Sequence, residues 1–104
     1  MLALTGAMIG TAVAAQEAAP IALTLKDHRF EPAEIHVKAE VASQIALSNQ
    51  DSTAEEFDSD SLKVEKVVAG GARGIVRLRP LSPGRYPFMG EYHSDTAQGV
   101  VIVE

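Results

Sequence analysis

From Ile21 to the end of the chain, apolar and polar residues alternate with a period of two. Ile21, Leu23 and Leu25 alternate with Ala22, Thr24 and Lys26, and Ile35, Val37 and Ala39 alternate with His36, Lys38 and Glu40. Successive side chains of an extended strand point to opposite faces, so this alternation predicts half-buried strands, and no helical stripe competes with it. Further short runs follow at 43–49, 64–68, 74–79, 84–88 and 99–104. They are divided by Asn49-Gln50-Asp51, Gly70-Gly71 and Leu81-Ser82-Pro83-Gly84, residues that favour turns. Roughly seven short strands with turns between them predict an all-β, antiparallel sandwich or barrel. His36 falls on a polar phase and is expected to face solvent.

Residues 1–16, MLALTGAMIGTAVAAQ, break the pattern, because they carry no charge and are dominated by small and apolar residues. Such a run reads as the core and cleavage region of a secretory signal, with cutting expected after Ala14 or Ala15. A signal opens with Lys or Arg, and none precedes Lys26, so the start of the precursor is expected to be lost or misassigned. The run falls short of the ~20 apolar residues of a spanning helix, so no membrane insertion of the mature domain is expected. The expected organisation is a signal at 1–15 and one domain at 16–104, exported to the periplasm.

Composition narrows the chemistry. With no Cys among 104 residues, disulfides, thiolate metal sites, iron–sulfur clusters and cysteine nucleophiles are excluded. A net charge of −5 lacks the basic face that nucleic acids and anionic membranes require. Neither a G-x-S-x-G elbow nor a phosphate-binding glycine loop is present. Cations are the natural company of such a chain. Its acidic residues crowd into 51–65, DSTAEEFDSDSLKVE, where Asp51, Glu55, Glu56, Asp58, Asp60 and Glu65 face only Lys63. This stretch is expected to be a loop, either simply solvated or holding a metal ion that relieves the repulsion. Its spacing is not that of an EF-hand.

Of three histidines, one stands in MGEYH, where Met89, Glu91 and His93 bring thioether, carboxylate and imidazole together. In an extended run these three, at i, i+2 and i+4, share one face. Gly90 between them permits a close approach or a bulge. Each alone has an ordinary role: His93 as a loop histidine bonded to Asp95, Met89 as a core filler beside Phe88, Glu91 as a surface strand residue.

RFEPAEIHVKAEVASQIALSNQDSTAEEF, followed by LSPGRYPFMGEYHSDTAQGVVIV, resembles the cupredoxin fold, a Greek-key sandwich. In that fold F-x-P, a strand pair, an N-x-D turn, a first ligand loop, P-G-x-Y-x-F and a second ligand loop succeed one another. The resemblance covers residues 21–104. Within it, EEFDSDSLKVEKVV and GEYHSDTAQG are similar to Cys-less periplasmic cupredoxin-like proteins of bacterial ferrous iron uptake systems. Those systems couple a periplasmic copper- and iron-binding protein, a membrane iron permease and redox partners.

The resemblance implies a cofactor of copper (Cu2+/Cu+), with iron as a second metal. It implies a role in ferrous iron uptake, as an electron-transfer component or a partner in Fe(II) oxidation. A blue-copper site uses two His, a Cys thiolate and a weak axial ligand. By the resemblance Met89 stands where the Cys would be, His93 matches the usual His, Gln98 falls near the axial position, and Glu55 or Glu56 replaces the first-loop His. The implied metal set is His93, Glu91, Met89, Glu56 and Glu55, without the intense colour of a copper–thiolate bond. His28, in the turn before F-x-P, lies at the same end of that fold, as a further ligand or gate. The rival expectation is a metal-free interaction module whose acidic loop docks a basic partner.

Overall fold

The computed structural model describes residues 19–104, and the expected signal at 1–15 lies outside the described residues. Among the described residues nine strands follow one another: β1 Ile21–Lys26, β2 Arg29–Glu31, β3 Glu34–Val37, β4 Ser43–Asn49, β5 Glu55–Ser59, β6 Val64–Val68, β7 Arg73–Leu78, β8 Gly84–Gly90 and β9 Gln98–Val103. A single 3₁₀ turn, Glu91–His93, follows β8. One sheet has the order β2-β1-β4-β7 and the other β3-β9-β8-β5-β6. The expected all-β sandwich is therefore present. Its sheets are mixed rather than purely antiparallel, because β1 pairs with β4 and β3 with β9 in parallel. Consecutive strands β2 and β3 belong to different sheets, and a strand that arrives by crossing between sheets is free of the antiparallel constraint a hairpin imposes.

Alternation sets which side chains meet between the sheets. Leu23, Leu25, Ile45, Leu47 and Val76 face inward from one sheet, and Ile35, Phe57, Phe88, Val101 and Val103 from the other. Burying each such side chain contributes about 1.5–3 kcal/mol. Phe57 stacks on Phe88 with ring centroids 4.7 Å apart, and Phe30 meets Phe88 edge-on at 5.1 Å. His36 is exposed, as its strand phase requires, and its Nδ1 lies 2.8 Å from Glu104 Oε1. That hydrogen bond raises the His36 pKa above the ordinary value.

Two strands depart from the sequence expectation. The short β2 completes a hairpin with β1. The other, β5, runs through the acidic stretch expected to be a loop. Its residues alternate inward and outward like those of any strand, with Glu55, Phe57 and Ser59 inward and Glu56 and Asp58 outward. Strand β5 lies between β8 and β6, so pairing on both edges overrides the poor strand preference of its acidic residues.

Candidate metal centre

At one end of the sandwich the inward row of β5 ends in a carboxylate. Glu55 is 0% exposed. Its Oε1 accepts the peptide N–H of Glu56 at 3.0 Å and of Tyr92 at 2.8 Å. Its Oε2 lies 2.6 Å from His93 Nδ1. Because a carboxylate only accepts, the proton of this contact sits on Nδ1, and the other ring nitrogen is left as a donor to a metal. Room for Glu55 is made by Gly90, the last inward position of β8. A Cβ on Gly90 would stand 2.6 Å from Glu55 Cδ and 2.8 Å from Ala97 Cβ. The 3₁₀ turn then brings His93 back over Glu55, and Ala97 N–H closes the turn on His93 O at 2.9 Å.

A second histidine covers the first. His28 stacks on His93 with ring centroids 3.5 Å apart and planes at 15°. It is 43% exposed at its side chain, against 24% for His93. With Glu91, Tyr92, Ser94, Asp95 and Thr96 the two rings line an open depression of about 380 Å³.

The loop beneath is tied by polar contacts. Buried Asn49 donates to Thr53 O at 2.9 Å and Val68 O at 3.1 Å, and accepts the Asp51 N–H at 3.0 Å. Asp51 accepts the N–H of Asp27 at 2.7 Å and of His28 at 2.9 Å. Burial alone would raise the Asp51 carboxyl, but those two donors outweigh it and hold the pKa below the ordinary 3.8. A depressed carboxyl stabilises the fold fully above its unfolded value, and that contribution is lost as pH falls through the folded value. Asp51→Ala is expected to cost about 2 kcal/mol at neutral pH, with the gap to the parent protein closing below about pH 4. Chemical denaturation across pH reads this, and a pH-independent gap contradicts it.

The five residues implied as ligands divide between two faces. Glu55 and His93 meet at the end of the inward row, with Glu55 buried and His93 partly exposed. Glu56 points outward with Asp58, and an oxygen from each lies within 4.8 Å of one from Glu91. Burial, a hydrogen bond with Glu91 and the charges of Glu91 and Asp60 hold the Asp58 carboxyl above its ordinary range. Met89 is 40% exposed on the outward row, paired with Asp58 on one side and Gln98 on the other. Met89, Glu91 and His93 do not share a face, because the extended run ends at Gly90 and the 3₁₀ turn changes the period. The β8 residue packed against the Glu55 side chain is Gly90 rather than Met89, although its register partner is Phe57. Asp58, expected only as one member of the acidic stretch and absent from the implied ligand set, joins Glu56 because two residues apart on a strand share a face.

An imidazole held through Nδ1 by a buried carboxylate suits copper or iron and offers no thiolate, and the carboxylate cluster of Glu56, Asp58 and Glu91 is a separate group on the outward face. Over residues 1–103 the chain matches the cupredoxin-like domain family. This chain belongs to the cupredoxin-like domain family. The cupredoxin-like chain is 40% identical over 83 residues to the uncharacterized protein RP394 of Rickettsia prowazekii (strain Madrid E), covering 80% of this chain and 66% of that protein. It thus spans just under two thirds of that relative's length. Its fold is shared with the metal binding domain of the Cu(I)-exporting P-type ATPase CopA of Streptococcus pneumoniae D39 in its Cu(I) form, at TM-score 0.70 and 15% identity over 82% of this chain and 84% of that one. It is shared too with auracyanin A, a blue copper protein of Chloroflexus aurantiacus, at TM-score 0.69 and 13% identity over 83% of this chain and 98% of that one. Copper-binding proteins are thus among the structural neighbours of this cupredoxin-like domain.

Proposed function

We propose that this cupredoxin-like protein is exported to the periplasm, binds copper at the Glu55–His93 end and serves ferrous iron uptake. The observation that carries the reading is the contact of His93 Nδ1 with buried Glu55, whose other oxygen is filled by two peptide donors. That arrangement selects one tautomer and presents the second ring nitrogen toward an incoming metal, the way metal-binding histidines are held. Copper, when bound, supplies one-electron exchange between Cu(II) and Cu(I).

On the outward face, apart from the Glu55–His93 contact, Glu56, Asp58 and Glu91 bring together carboxylate oxygens, the donor type that favours iron. Phe57 and Phe88 lie one inward position below Glu55 and Gly90 and give the site a dry floor. Dryness strengthens the Glu55–His93 contact, since water does not compete for it. The similarity of the 55–68 and 90–99 blocks to proteins of bacterial iron uptake supports a role beside a membrane iron permease and a second periplasmic metal-binding protein. There the chain passes electrons from Fe(II), or assists its oxidation.

Deleting the chain from its native cell is expected to lower uptake of radiolabelled Fe(II), with restoration by the wild-type chain and not by Glu55→Gln. Unchanged uptake contradicts the iron role. A second reading, a metal-free module docking a basic partner, is favoured by the outward acidic row of Glu56, Asp58 and Glu91. It requires full restoration by Glu55→Gln, since Glu55 is inside.

A further inference from the structure

Resting on the metal-binding reading of His93, we infer that His28 is a positioning residue that clamps the plane of the His93 ring and does not itself bind the metal. Glu55 fixes the direction of His93 within its ring plane, through Nδ1. A hydrogen bond at one edge leaves the ring free to rock about that axis. His28 lies flat against the ring face, with centroids 3.5 Å apart and planes at 15°, and blocks the rocking.

The backbone of His28 is built for the task at some expense. Asp27 and His28 form the turn between β1 and β2 with φ of 53° and 59°, left-handed values that glycine or asparagine adopts more readily. Three contacts keep it there. Asp51 accepts the N–H of both turn residues, and Thr96 Oγ1 donates to His28 O at 2.7 Å. Asp51 belongs to the loop before β5, and Thr96 follows the turn that carries His93. His28 is therefore referenced to both segments that build the site.

The stack also argues against shared ligation. A ring nitrogen donates in the plane of its ring, and stacking at 15° keeps the donor nitrogens of the two rings in separate, nearly parallel planes, which do not converge on one nearby point. His28 Nε2 is 4.0 Å from Asp51 Oδ2, longer than a hydrogen bond, so the ring is held by its face and not by its edge.

His28→Ala and His28→Phe separate the two roles, because phenylalanine keeps a flat face and removes both nitrogens. In the metal-free protein, NMR of the His93 Nδ1–H resonance is expected to be sharp in wild type and His28→Phe and broadened in His28→Ala. Cu(II) affinity is expected to fall about 10-fold in His28→Ala and to return in His28→Phe, with the nitrogen hyperfine pattern of wild type. His28→Phe as weak as His28→Ala, or with one fewer coupled nitrogen, overturns the clamp in favour of ligation. No change in either variant overturns it altogether. Should wild type bind no copper, the metal reading fails by itself, and the metal-free NMR alone decides whether the clamp exists.

Discussion

Glu55→Ala is expected to lower the stability of the domain by about 3 kcal/mol, because removing one member of a buried, hydrogen-bonded pair strands the other. Three donors lose their acceptor at once: the peptide N–H groups of Glu56 and Tyr92 and Nδ1 of His93. A small domain has only about 5–15 kcal/mol in total, so the loss is a large share. Glu55→Gln should behave differently. It has the same shape and keeps one oxygen for the two peptide donors, but its amide nitrogen then meets His93 Nδ1. A donor facing a donor forces the imidazole to its other tautomer, which puts the proton on the nitrogen needed for metal. The expected result is modest destabilisation with copper binding weakened about 10–100-fold. Denaturant unfolding beside calorimetric copper titration separates the two effects. Equal copper affinity in Glu55→Gln and wild type contradicts this role for Glu55.

Gly90→Ala is the second substitution with a large expected effect. The added Cβ cannot share the space with Glu55 Cδ at 2.6 Å, and Ala97 on its other side, 2.8 Å away, is attached to rigid backbone. Glu55 must swing out, and with it goes the acceptor of His93. Overpacking alone costs about 1–3 kcal/mol, and loss of the buried contacts adds to it. Because both substitutions disrupt the same contact, Gly90→Ala in a Glu55→Ala background should cost much less than in wild type. Thermal unfolding of the two single variants and the double variant completes the cycle. Strict additivity contradicts the account of Gly90 as the residue that makes room for Glu55.

How much of this was legible in the sequence varied along the chain for physical reasons. Strands β1, β3, β4 and β9 show through because their inward residues are aliphatic, as with Leu23 and Leu25 or Ile45 and Leu47. Strand β5 was hidden because its inward row is Glu55, Phe57 and Ser59, only one of which is apolar. The chemistry of the site masks the periodicity of the strand that carries it. Hydrophobic patterning is most readily violated where function displaces packing.

The candidate residues were legible, and their arrangement was not. Glu55 and His93 both stood out from the sequence, yet their contact spans 38 positions and depends on the glycine that ends β8 and on the 3₁₀ turn after it. Strand periodicity placed Met89, Glu91 and His93 on one face, and it fails after Gly90 because a 3₁₀ turn has three residues per turn rather than two. Met89 follows inward-facing Phe88 and so must point outward, a consequence of phase that the family resemblance obscured. The stacking of His28 on His93 rests on the Asp27–His28 turn, whose left-handed backbone is imposed by Asp51 from 23 positions away.

The central claim is that His93, held by Glu55, is a metal ligand, and titration of wild type and His93→Ala with Cu(II), followed by EPR and visible absorption, tests it most directly. Wild type is expected to bind Cu(II) with nitrogen hyperfine structure and little colour, since nitrogen and oxygen donors without a thiolate give only weak absorption. His93→Ala should bind at least ~10-fold more weakly and lose that nitrogen pattern. An intense blue band in wild type, or identical affinity and EPR spectra for the two proteins, would contradict the claim.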